Sequence, residues 1–466
     1  MTTPVRRSAL PAAARVATAL VACAIALTPY AAQAQPNPNP KPKPQVPAPA
    51  PAPAEQQVAA LAKAPWKLAL PPSEAESTDF FDVTATGRND AWAVGVKPDE
   101  SWNAAPVAKH WDGTRWSDVP PAGTGGRPAQ LEAVAASGPD DVWAAGTYTD
   151  IEGGAASSSA ADRVPDALLE RLPNTLADRL RSGSALPEAD GAIVLQHWDG
   201  TRWKPVSHPA PADGWMRFVL QMKSTGANSV WLTTLDWNPR ADPADPAAKV
   251  YSGNLEHWDG RKWSRTTLPK APDGSPVEPS SVTGTGPDDV WVSALTEADG
   301  VATPLIYHFD GRRWTVDTVP VPYEYGPGWM ANHIVSTRRG TVHVLGKTND
   351  PQVPSGLLST RWDGRAWQQT PTPGVDEVNA AGADGSGGVW VAGWLPQGGG
   401  HTVFSRWDGT AWTGEELPEE LTSTSTGSTV FDIEAVPGTR AVLAAGNIGC
   451  ESGTGSCGLL ASRGLR

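Results

Sequence analysis

From Trp66 onward the apolar positions come in short runs that repeat along the chain, as in LEAVAAS at 131–137 and VWAAG at 142–146. Runs of this length between polar turns predict strands rather than helices. Two half-motifs alternate strictly. One is HWDGTRW at His110–Trp116, which returns at His197, His257 and His308, and with arginine in first place at Arg361 and Arg406. The other is GPDDVWAAG at Gly138–Gly146, which returns around Trp92, Trp231, Trp291, His343, Trp390 and Leu443. Asp-Gly between two strand-like runs predicts a two-residue hairpin turn with both central residues at positive φ. GPDDVW predicts a second short turn. Each unit of about 45 residues therefore predicts four antiparallel strands, A to D, which is the pattern of a propeller blade. In one unit these fall at 131–137, 142–148, 193–198 and 202–206.

Seven B strands and six whole C–D hairpins can be counted in this way. The segment from Cys457 to the C-terminus reads as the seventh C strand, and Trp66-KLALP reads as the D strand that completes it. The expected fold is all-β: a seven-bladed β-propeller of four-stranded antiparallel blades, closed by pairing of the N-terminal strand with the C-terminal blade. Closure leaves no exposed sheet edge. One stretch breaks the pattern. Within a long insertion at 150–190, Leu168, Leu169, Leu172, Leu176 and Leu180 recur at helical spacing, and Pro173 divides them into two short helices. This insertion reads as a lid or partner-binding helix, or as a helix resting on the rim.

The repeats resemble bacterial secreted β-propellers built from GPDDVWAVG…HWDGTxW units and, more loosely, kelch and galactose-oxidase-like propellers. The resemblance spans nearly all of 65–466. It implies the fold and says almost nothing about activity. WDGTRW is also similar to the Asp-box turn of sialidases, although Asp and Gly are adjacent here; such turns are structural.

The N-terminus adds an address. Arg6, Arg7 and Arg15, an apolar run over 16–27, Pro29 and Ala32-Gln33-Ala34 form an export signal with cleavage after residue 34. An alternative cut ahead of Cys23 leaves that residue lipid-anchored. Residues 35–64 are Pro-rich and predict an extended linker; residues 65–466 are the propeller. No later segment is apolar enough to span a membrane. A formal charge of −13 argues against nucleic acid and anionic lipid. The chain reads as a secreted monomer. Cys450 and Cys457 are expected to pair, since nearby cysteines in an exported chain usually do.

The 22 tryptophans fall into two groups. Seventeen occupy repeat positions and are expected to pack between blades. The other five, Trp102, Trp215, Trp237, Trp329 and Trp394, lie in or beside the B–C and D–A loops, which vary in length. Tyr148, Tyr251, Tyr323 and Tyr325 lie there too. Variable loops on a rigid scaffold carry function, and aromatic rings there suit a sugar or a protein partner. These residues are the candidate ligand-binding set.

Candidate chemistry is sparse. The chain has no G-x-S-x-G, H-E-x-x-H or P-loop, and no catalytic residue, metal site or cofactor is assigned. His110, His197, His257 and His308 recur once per unit and read as strand residues. The loop-side ends of the A strands carry Asp82, Glu132, Asn332, His333, Asn379 and Asp432, which are expected to converge on the mouth of the central channel. Three functions stand open. The chain is a binding module for a glycan or a protein, a carbohydrate-active enzyme using paired carboxylates, or a cell-envelope scaffold.

Overall fold

The computed structural model describes residues 66–465 apart from 100–102, 150–163, 165, 170–171, 173, 182–185, 189, 243–247, 299–300, 322–327, 349–356, 395–401, 416–426 and 451–455. The expected export signal, Cys23 and the Pro-rich linker lie outside the described residues, as do Trp102, Tyr323 and Tyr325.

The chain forms seven four-stranded antiparallel sheets. Six use consecutive strands. The A strands run Asp79–Gly87, Ala129–Gly138, Met216–Gly226, Glu278–Gly286, Trp329–Ser336 and Glu377–Ala383 in blades 1 to 6. Blade 7 takes A, B and C from Ser428–Ala435, Val442–Gly449 and Ser456–Arg463, and its D strand is Trp66–Leu68. Trp66 pairs with Arg463 and Leu68 with Ala461, so the ring closes as the repeat arithmetic predicts.

The repeat motifs have mechanical roles. The B-strand tryptophans at the GPDDVW position, Trp92, Trp143, Trp231, Trp291 and Trp390, pack against the D strand of the next blade. The ring of Trp92 lies 5.3 Å from that of Trp203, and Trp143 lies 5.2 Å from Trp263. At the closure Trp390 meets Trp66 at 5.4 Å, so the N-terminal strand supplies the tryptophan that blade 7 otherwise lacks. The recurring histidines belong to a side-chain relay. In blade 2, Ser137 donates to Asp141, Asp141 is hydrogen-bonded to His197 Nε2 at 2.7 Å, and His197 lies 4.5 Å from the Trp143 ring. Thr86–Asp90–His110 and Thr285–Asp289–His308 repeat the arrangement. In blade 6, Arg406 takes the histidine's place on Asp384. The second Asp of GPDDVW is therefore the partner of the His in HWDG.

The Asp-Gly turn differs from expectation. Strand C of blade 1 ends at Trp111 and strand D begins at Trp116, so the loop has four residues rather than two. Gly113 has φ +95°, but Asp112 does not join it in the left-handed region. The Asp112 carboxylate instead accepts from Thr114 N, Thr114 Oγ1 and Arg115 N. These bonds to the ionised form hold its pKa down at about 2. The side chain closes the turn, and this removes the need for a positive φ at Asp112.

Every A strand carries a β-bulge near its loop end, for example between Leu131 and Ala133 in blade 2. Gly146 pairs with Leu131 beside that bulge, and a Cβ on it would lie 1.9 Å from Gln130 O. The glycine closing VWAAG is thus required by a close backbone approach. Bulges re-aim side chains, and here they turn one residue per blade toward the channel.

Candidate functional site

The A strands are innermost, and the bulge residue and its successor form two tiers around the channel. The bulge tier contains Phe81, Glu132, Leu220, Ser280, Asn332, Asn379 and Phe431. Beneath it lie Asp82, Gln221, Ser281, His333 and Asp432. They enclose a cavity of about 230 Å³ lined by strands from all seven blades. Asp82, Glu132, Asn332, His333, Asn379 and Asp432, the six residues expected at the channel mouth, all line it.

Part of this ring is structural. Asp82 accepts from Val134 N of blade 2 at 2.7 Å, and Gln221 accepts from Val282 N of blade 4 at 2.8 Å. His333 donates through Nε2 to Val378 O of blade 6 at 3.2 Å. Polar side chains in the channel therefore join successive blades where the sheets leave backbone groups unpaired.

The electrostatics are unusual for a structural channel. Burial pushes the Asp82 carboxyl well above its ordinary range, and the charge of Asp432 beside it pushes it further. Burial likewise raises Asp432 to about 6, and the proximity of the two carboxyls makes them titrate as a pair. One tier deeper, Lys223 of blade 3 forms an ion pair across the channel with Glu434 of blade 7. Burial lowers His333 to about 4, so its imidazole is neutral at physiological pH. Gln221, Lys223 and Glu434 did not stand out in the sequence. Their signal was positional: Gln221 occupies the repeat position of Asp82 and Asp432, and Lys223 and Glu434 lie two residues further on.

The insertion covers this mouth. Its helices α1 (Asp166–Leu169) and α2 (Asn174–Arg181) pack Leu168, Leu169, Leu172, Leu176 and Leu180 onto Phe218, Leu235 and Trp237 of blade 3. Leu176 and Arg179 of α2 line the cavity. The Arg179 guanidinium lies 3.5 Å over the Phe81 ring, and its Nη2 approaches Glu132 Oε1 at 3.4 Å.

The candidate aromatic set is divided. Trp237 is 4% exposed beneath the insertion, and Trp329 is 1% exposed between blades 4 and 5. Neither presents a ring to solvent; both fill core. Trp215 and Trp394 are half-buried on the loop face. Tyr148 is half-buried with the Arg127 guanidinium 3.8 Å above its ring. Tyr251 packs partly buried against the insertion cluster. A second buried polar cluster lies at the loop end of blade 3, where Arg217 clamps Asp236 at 2.6 and 2.9 Å and His208 pairs with Glu256. Cys450 and Cys457 are disulfide-bonded, with Cα atoms 5.1 Å apart. Among the described residues no helix is long and apolar enough to cross a membrane, and no group of three or more His, Cys, Asp or Glu is arranged to hold a metal ion.

No protein-family model and no curated protein matches this chain. Solved structures do. YCF48 bound to a D1 peptide aligns at 13% identity and TM-score 0.47, covering 86% of this chain and 94% of that one. A PL25 ulvan lyase bound to a -[GlcA(1-4)Rha3S]- saccharide aligns at 10% identity and TM-score 0.44, covering 83% and 94%. The β-propeller domain of the Trilobed protease from Pyrococcus furiosus aligns at 9% identity and TM-score 0.41, covering 80% and 92%. At these values the likenesses do not bear on activity.

Proposed function

We propose that this chain is an exported binding module that takes a glycan or a protein on its loop face. The main support is the way polar and aromatic side chains segregate between the two ends of the ring. At the turn face the repeated polar groups satisfy one another, through the Ser/Thr–Asp–His relays and the aspartate-closed turns. At the loop face the rings of Trp215, Trp394 and Tyr148 are half-buried, and a polar cavity lies among the A strands. Amphipathic rings at low entropy cost suit recognition of sugars and protein loops. The expected export signal and the disulfide agree with a site outside the cytoplasm.

Two-carboxylate glycoside chemistry is less well supported. It needs two carboxyls free to act on the substrate, whereas Asp82 and Asp432 accept from backbone N–H groups of neighbouring blades and Glu132 is paired with Arg179.

The test is binding of the mature protein to a glycan array and to envelope extracts. Trp215→Ala with Trp394→Ala is expected to abolish binding while lowering the Tm by no more than a few degrees. Undiminished binding by the double variant, or no binding by the native chain to either target, removes the proposal.

A further inference from the structure

The channel cavity holds more acid than base. Asp82, Glu132, Asp432 and Glu434 line it against Lys223 and Arg179. Burial raises the carboxyls of Asp82 and Asp432, and the neighbouring charges of Asp432 and Glu434 raise them further. Acidity alone does not make a site, but three buried acceptors on the cavity wall, Glu132 Oε2, Asn332 Oδ1 and Asn379 Oδ1, also lack partners. The Glu132 side chain is 6% exposed, with Gln130 and Arg179 both at Oε1 and Oε2 unbonded. Asn379 is 2% exposed and its Oδ1 is likewise unbonded. A buried acceptor without a donor costs about 1–3 kcal/mol, which a hydrogen-bond donor entering the cavity removes. The donor is defined further by the wall: Phe81 and Phe431 offer aromatic surface there, and Phe81 already carries the guanidinium of Arg179.

We propose that the channel mouth is a binding site for a small organic cation, a primary ammonium or guanidinium group, held by Glu132 Oε2, Asn379 Oδ1 and the Asp82–Asp432 pair under helix α2. A cavity of about 230 Å³ takes a small amine or the end of a lysine or arginine side chain. Arg179 displays the same recognition in cis. This site does not depend on Trp215 or Trp394, so its failure and that of the loop-face reading are separable.

The experiment is calorimetric titration of the mature protein with n-butylammonium and methylguanidinium chlorides, against n-butanol and sodium chloride at matched ionic strength. Saturable binding of the two cations alone is expected. Asp432→Asn and Glu132→Gln are each expected to weaken it about ten- to hundredfold, the cost of one charged hydrogen bond, with fold confirmed by circular dichroism. Arg115→Ala, in an exposed C–D turn at the opposite end of the ring, is expected to leave it unchanged. Arg179→Gln, which removes the cis cation, is expected to bind at least as tightly as the native chain; binding by Arg179→Gln alone also supports the site and makes α2 its cover. A short lysine-containing peptide distinguishes the source of the cation: tighter binding than n-butylammonium identifies a protein side chain, and weaker binding a free amine. Equal response to butanol and butylammonium, indifference to both carboxylate variants, or no binding by either the native chain or Arg179→Gln overturns the proposal.

Discussion

Trp329 fills the seam between blades 4 and 5 at 1% exposure, whereas Trp394 is half-buried on the loop face. Trp329→Ala is accordingly expected to cost about 3–5 kcal/mol, against less than about 1 kcal/mol for Trp394→Ala, by urea unfolding. Both rings fall outside the repeat, and so does Trp237; sequence spacing does not report the contacts with the insertion and the neighbouring blade that bury Trp237 and Trp329. Asp82, Glu132 and Asp432 are legible because blade arithmetic puts the start of each A strand at the channel, while their hydrogen bonding follows from bulges that only three-dimensional pairing reveals. The channel also sets a pH dependence. Asp432 and Asp82 hold protons more tightly in the folded chain than at the ordinary value of 3.8. Their contribution is whole below that value and is lost as pH rises through about 6. His333 and His343 are depressed from 6.5 to about 4 and about 3 by burial, so their contribution is whole above 6.5 and is lost as pH falls below it. The two sets therefore oppose each other between about pH 4 and 6. Asp432→Asn removes the loss that Asp432 contributes over that window, so the Tm of the variant is expected to rise more steeply from pH 4 to 6 than that of the native chain; an identical slope assigns the loss to other groups.

At the scale of elements, strand boundaries were legible because alternation and turn residues agree locally. The turn type was not. Asp-Gly suggested a two-residue hairpin, and the aspartate side chain closed a four-residue loop instead. The histidine of HWDG reads as a strand residue, but its bond to the aspartate of the preceding turn joins residues 19 to 56 apart, as in His308–Asp289 and His197–Asp141. The glycine of VWAAG gives a direct test of the bulge. Gly146→Ala, whose methyl meets Gln130 O, is expected to destabilise by about 1–3 kcal/mol. Gly138→Ala has nothing within 4 Å of its new methyl and is expected to shift stability by less than about 0.5 kcal/mol. Similar Tm losses for both variants would contradict the role assigned to the bulge.

At the scale of the whole molecule, the count of seven B strands and six hairpins was enough to predict both the blade number and the split blade, and the structure has both. The closure depends on five residues. Trp66 is fully buried, stacked on Phe404 at 4.2 Å and edge-on to Trp390, while Arg463 of the partner strand clamps Glu415 at 2.7 and 2.9 Å. Trp66→Ala is expected to lower the urea midpoint by the equivalent of about 3–5 kcal/mol. Loss of the Cys450–Cys457 bond is expected to cost about 2.5 kcal/mol on the loop-entropy model. The same pairing also gives the ring a polarity. Strand C of blade 7 runs from the loop face to the turn face, and Trp66 lies opposite its last residue, Arg463. The backbone thus enters the ring at the turn face, at the end opposite the channel mouth, so the strand that locks the ring and the cavity that crowns it occupy opposite ends.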